Sequence, residues 1–113
     1  MKGLFVELPP FERIRATYLD DDGFSRLQRV LMNAPEAGDV IEGTGGLRKL
    51  RFGDASRGKG KRGGLRVIYY WWSEGGQLWL FTLYGKGEVS DLTPDQRKKL
   101  KAMLKTELKE RKK

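Results

Sequence analysis

Two stretches of the chain, LRVIYYWW (Leu65 to Trp72) and QLWLFTLY (Gln77 to Tyr84), are apolar or aromatic at nearly every position. Such residues favour strands, and strands without polar alternation are covered on both faces. SEGG, from Ser73 to Gly76, reads as the turn between them, and Leu47 to Phe52 reads as a preceding strand, so the three form a β-meander. Earlier in the chain the spacing changes. Met1 to Glu7 suggests a short strand, and Pro9 and Pro10 suit a first helical turn leading to Phe11, Ile14 and Tyr18. Asp20, Asp21 and Asp22 offer an N-cap for a second helix with Phe24, Leu27, Val30 and Leu31 on its apolar face, ended by Asn33 and Pro35. The segment AGDVIEGTGG (Ala37 to Gly46) reads as a connecting loop.

The last helix has the clearest start, Thr93, Pro94, Asp95 and Gln96, which together supply an N-cap, a first-turn proline and a capping-box glutamine. Leu100, Met103, Leu104 and Leu108 form its apolar stripe. The predicted order is β-α-α-β-β-β-α, a single α+β domain over residues 1–113 with a mainly antiparallel sheet. The first two helices cover one sheet face. The other face needs the C-terminal helix, a partner or a ligand.

Composition narrows the chemistry. The chain has no cysteine and no histidine, so disulfides, thiolates and imidazole bases are excluded, and acid–base work falls to Lys, Tyr, Asp or Glu. No apolar run approaches the roughly 20 residues of a membrane span, and MKGLFVEL before Pro9 is too short for a signal-peptide core. A soluble, cytoplasmic protein with no membrane partner is expected.

The net charge of +8 is concentrated. Residues 48–66 carry +7 and residues 97–113 carry +7, leaving the remainder at −6. A cationic hairpin beside aromatic strands suits phosphate binding and base stacking, which points to RNA. Lys49, Arg51, Arg57 and Arg62 are candidate RNA contacts in the first block, with Lys98 and Lys101 in the second. Solvated cover for the sheet and contact with a protein partner are the other uses open to the Lys-rich helix. Arg66 is the sharpest single candidate, because it interrupts an apolar strand where a guanidinium can grip a phosphate with two hydrogen bonds. Its alternative is a structural salt bridge. Gly58 to Gly63 formally matches the G-x-G-x-x-G dinucleotide pattern, but a strand follows it instead of a helix, so that reading fails.

The blocks GDVIEGTGGLRKLRF, GKGKRGGLRVIYYW and LFTLYGKGEVSDLTPDQRKKLKAML resemble the HigB branch of the RelE/ParE toxin superfamily, in order and over almost the whole chain. The resemblance implies the compact α+β toxin fold and the toxin of a type II toxin–antitoxin pair. It also implies ribosome-dependent, metal-independent endonuclease cleavage of mRNA in the decoding site, and neutralisation by a helix-turn-helix antitoxin of the HigA type. No small-molecule cofactor is implied. In that chemistry a ribose 2′-hydroxyl attacks the adjacent phosphodiester. A base, cations on the developing charge and a donor for the leaving oxygen are required. Carried over block by block, Arg66 stabilises the charge and Lys86 contacts phosphate, whereas Lys49 and Arg51 match the family's basic pair only loosely. Lys61, Lys59 and Lys49, in that order, are the candidate bases. Gly87 stands where RelE relatives have an arginine, and Leu92 and Thr93 stand where a tyrosine is expected, so the general acid is unassigned and Tyr84 is the candidate substitute. Two further classes stay open: a non-catalytic ParE-like gyrase poison, and a plain RNA- or ribosome-binding module.

Overall fold

The structure is a computed structural model and describes residues 4–53, 64–87 and 91–111. Leu8 has extended backbone and donates its N–H to the carbonyl of Leu80, so β1 (Phe5–Glu7) passes directly into α1 (Pro9–Tyr18). Pro9 and Pro10 fill the first turn, where a missing N–H costs no helical hydrogen bond. The Asp20 carboxylate accepts from the Gly23 N–H at 2.7 Å and caps α2 (Asp21–Asn33). At the start of α3 (Pro94–Arg111), the Thr93 N–H donates to Gln96 Oε1 at 2.8 Å, and the Gln96 N–H donates to Thr93 Oγ1 at 3.2 Å. This is the reciprocal cap expected from the sequence.

Between α2 and α3 lie β2 (Asp39–Val40), β3 (Arg48–Phe52), β4 (Leu65–Trp72) and β5 (Gln77–Gly85). The sheet order is β1-β5-β4-β3-β2, with β1 parallel to β5 and every other pair antiparallel. The described residues form a small compact α+β domain with a five-stranded mixed sheet and three helices.

One element was missing from the expected order. The segment from Ala37 to Gly46 is not wholly a loop, because Asp39 and Val40 pair with Lys49 and Arg48 as β2. Both β2 residues are exposed, so no apolar alternation marks the strand. The turn from β2 to β3 is shaped by Gly43, Gly45 and Gly46, all at positive φ, around a buried Thr44. Thr44 Oγ1 donates to the Ile41 carbonyl and accepts from the Leu47 N–H. Val30 also departs from expectation. Leu27 and Leu31 are fully buried, but Val30 stays 40% exposed, because it flanks an open groove beside β3 instead of facing the sheet.

Strand alternation divides the interior into two layers. Leu50, Phe52, Leu65, Val67, Tyr69, Leu78, Leu80 and Leu83 pack beneath α1 and α2 with Phe11, Leu27 and Leu31. Ile68, Trp79, Phe81 and Tyr84 face the opposite side, covered by Leu92, Leu100 and Leu104. The C-terminal helix therefore supplies the second cover that the two apolar strands require. Among the described residues, no helix is long and apolar enough to cross a membrane.

Candidate nucleic-acid interface

The alternation that buries Leu50 and Phe52 under α1 and α2 turns Lys49 and Arg51 to the α3 side of β3. On β4, Leu65 and Val67 face α1 and α2, so Arg66 between them faces the α3 side. Register then aligns the chemistry. Arg51 stands opposite Arg66, and Arg66 opposite Tyr84, so three polar side chains form one row across three strands. Directly opposed side chains on one face have Cβ atoms roughly 5 Å apart, close enough to share one ligand.

The row runs from open to buried. Arg51 is exposed, Arg66 is 5% exposed and Tyr84 is 8% exposed. One guanidinium nitrogen of Arg66 donates to the Leu65 carbonyl at 3.2 Å, which fixes the orientation of the group. The Tyr84 hydroxyl is buried and has no hydrogen-bond partner among the described residues. Burial pushes its pKa up, the negative charge of Asp91 pushes in the same direction, and Arg66 and Arg97 oppose them. Tyr84 is thus a neutral proton donor at physiological pH, without an acceptor of its own.

Asp91 and Arg97 close this corner from the α3 side. Asp91 lies 3.5 Å from Lys49 Nζ and 3.4 Å from an Arg97 guanidinium nitrogen. Its carboxyl pKa is lowered, first by the hydrogen bond from the Leu92 N–H; burial opposes that, and the charge and hydrogen bond of Lys49 and the charge of Arg97 add to the lowering. Among the described residues of this corner, Lys49, Arg51, Arg66 and Arg97 gather near two carboxylates, Asp91 and, opposite Lys49 on β2, Asp39. A site with this balance attracts an anion.

A groove of about 640 Å³ opens beside β3 and reaches Lys49 and Arg51. Arg26 and Val30 of α2 and Asp39 of β2 form its other walls.

No family model matches the chain. What can be said of the site comes from the placement of its residues. Arg66, Tyr84, Lys49 and Arg51 are brought together. Lys86 is exposed in the turn after β5, and its N–H donates to the Gly64 carbonyl at 2.9 Å, which holds that turn beside the start of β4. Lys98 and Lys101 are exposed on α3. Arg57, Lys59, Lys61 and Arg62 lie outside the described residues.

Some basic residues have structural work instead. Arg48 donates to the carbonyls of Glu36 and Gly38 and pairs with the Glu36 carboxylate at 3.3 Å, tying the end of α2 to β3. Arg97 is the residue that sequence reasoning missed. It stands one residue before the lysine run of α3 and was absorbed into that charge block, although its Nε is buried and unpartnered. The available signal was its position one turn after the capping threonine, on the side that turns toward the sheet. All twelve aromatics lie among the described residues and none is exposed, so the aromatic strands serve chiefly as core.

Proposed function

We propose that the protein is an RNA endonuclease acting on ribosome-bound mRNA, the toxin of a type II toxin–antitoxin pair of the RelE/HigB kind. The observation that carries this reading is the row Arg51, Arg66, Tyr84, in which two guanidiniums lead to a buried phenol that lacks an acceptor. A phosphodiester fits such a row. Its nonbridging oxygens meet the guanidiniums, and its leaving oxygen meets the phenol.

In the proposed reaction the ribose 2′-oxygen attacks phosphorus and loses its proton to a base. The bond from phosphorus to the 5′-oxygen breaks, leaving a 2′,3′-cyclic phosphate and a 5′-hydroxyl. Arg66, held by the Leu65 carbonyl, neutralises the charge that develops on the phosphorane oxygens. Arg51 and Lys49 add cationic cover at the open side. Tyr84 is still protonated at neutral pH and gives its hydrogen to the departing 5′-oxygen. The base is assigned to the lysines of the Gly-rich segment, Lys61 ahead of Lys59, with Lys49 third. Lys49 sits in the ion pair with Asp91.

The partners in this reading are the ribosome with bound mRNA and a cognate helix-turn-helix antitoxin of the HigA type. The test is primer extension on a defined mRNA, on naked RNA and on programmed ribosomes, comparing wild type with Arg66→Ala. Cuts within codons on ribosomes alone, reduced in the variant by about 10² to 10³, are expected for loss of one charge-stabilising donor. Wild-type protein that leaves ribosome-bound mRNA intact overturns the nuclease reading and shifts weight to gyrase poisoning or plain RNA binding.

A further inference from the structure

The Asp91 carboxylate bridges two elements. One oxygen lies 3.5 Å from Lys49 on β3 and the other 3.4 Å from Arg97 on α3. Both distances exceed the roughly 2.8 Å of a well-formed charge-assisted hydrogen bond, so neither cation is fully engaged. The Asp91 side chain is 51% exposed and precedes the helix, with one oxygen also accepting from the Leu92 N–H at 2.8 Å. Two donors beside it are buried without acceptors among the described residues, Arg97 Nε and the Tyr84 hydroxyl. Two cations bridged at long distance by one half-exposed carboxylate, next to unused donors, match a group with the same charge and more oxygens. A phosphate is such a group.

We infer that Lys49 and Arg97 form a second phosphate subsite, occupied in the free protein by the Asp91 carboxylate, and that an RNA phosphate displaces that carboxylate on binding. This inference rests on the RNA reading of the site and adds Arg97 and Asp91 to it.

The experiment uses the full chain and a short fluorescein-labelled 2′-O-methyl RNA, which carries phosphates but no 2′-hydroxyl nucleophile. Affinity is followed by anisotropy over a salt series. Asp91→Asn keeps the acceptor for the Leu92 N–H and removes the charge, and Asp95→Asn makes the same charge change at an exposed position of the same helix end. Asp91→Asn is expected to bind about fivefold tighter than wild type at low salt, the upper end for one exposed ion pair. Its slope of log affinity against log salt is expected to steepen by about 0.7, the value for one single-strand phosphate contact. Asp95→Asn should do neither. Combining Asp91→Asn with Arg97→Gln should cancel the gain, and circular dichroism confirms that each variant is folded. Equal behaviour of Asp91→Asn and Asp95→Asn overturns the subsite, as does a gain that survives Arg97→Gln or a wild type that does not bind the RNA at low salt. Because the readout is binding, failure here leaves the cleavage test untouched, and failure of cleavage leaves this result standing.

Discussion

Tyr69 and Tyr84 lie on adjacent strands, both more than nine-tenths buried, and their phenols have opposite circumstances. The Tyr69 hydroxyl donates to the Pro35 carbonyl at 2.8 Å and accepts from the Gly38 N–H at 2.9 Å, pinning the end of α2 to the sheet. The Tyr84 hydroxyl has no hydrogen-bond partner among the described residues. Removing the same atom should therefore have opposite effects on stability. An unpaired hydroxyl costs about 1–3 kcal/mol to bury by the evidence of protein mutants, so Tyr84→Phe should stabilise by about 1 kcal/mol. At roughly 2.1 cal/mol/K of unfolding entropy per residue, a chain of 113 residues gains about 4 °C in Tm for that amount. Tyr69→Phe orphans a buried donor and an acceptor and should cost about 2 kcal/mol, or about 8 °C. The assay is calorimetry near pH 7, with urea unfolding as a check that the denaturant slope is unchanged. On ribosomes the order should reverse, with Tyr84→Phe cleaving far more slowly than wild type and Tyr69→Phe retaining its rate below its Tm. A Tyr84→Phe variant that loses as much stability as Tyr69→Phe would refute the reasoning, because the phenol would then have a structural partner.

Other predictions follow from the same geometry. Gly38→Ala places a methyl 2.8 Å from the Tyr69 ring and 3.0 Å from the Lys49 backbone, and should cost about 1–3 kcal/mol in urea unfolding. Thr93→Ala removes one half of the α3 cap and should cost about 1 kcal/mol by the same measurement. Burial raises the pKa of both Tyr69 and Tyr84 above the unfolded value of about 10. Above pH 10 the unfolded chain then loses phenolic protons before the folded one, so stability that is complete below pH 10 should fall as pH rises past it. Urea midpoints measured from pH 8 upward check this, and the loss should shrink in Tyr69→Phe. Asp91 works in the opposite sense. Its lowered pKa contributes stability above about pH 4 that is lost as pH falls through its folded value, and Asp91→Asn should flatten that acid limb in urea midpoints taken below pH 5.

Local pattern was enough for the elements. The Thr93 and Gln96 cap, the Asp20 cap, the prolines opening α1 and the two apolar strands are decided by side chains a few residues apart, and the structure keeps each of them. The need for a second cover over those strands was also legible, since a strand without polar positions has no face to give to water. The strand β2 was not legible, because two exposed residues carry no periodicity and become a strand only when Lys49 and Arg48 lie alongside. For the site, sequence singled out Arg66 and Tyr84 as separate candidates and left Lys49 and Arg51 as loose ones. That Arg51, Arg66 and Tyr84 form one row depends on the pairing register of three strands, and a slip of one residue would turn each side chain to the other face. The roles of Arg48, Arg97 and Asp91 were likewise decided in three dimensions. Arg48 and Lys49 are neighbours of the same charge type, yet the pleat points one at Glu36 and the other at Asp91. Sequence by itself determined which segments fold locally and where positive charge is dense, because those depend on neighbours along the chain. Only tertiary structure decided which charges share a ligand and which hold the fold, because that depends on strand register and on the side from which α3 closes.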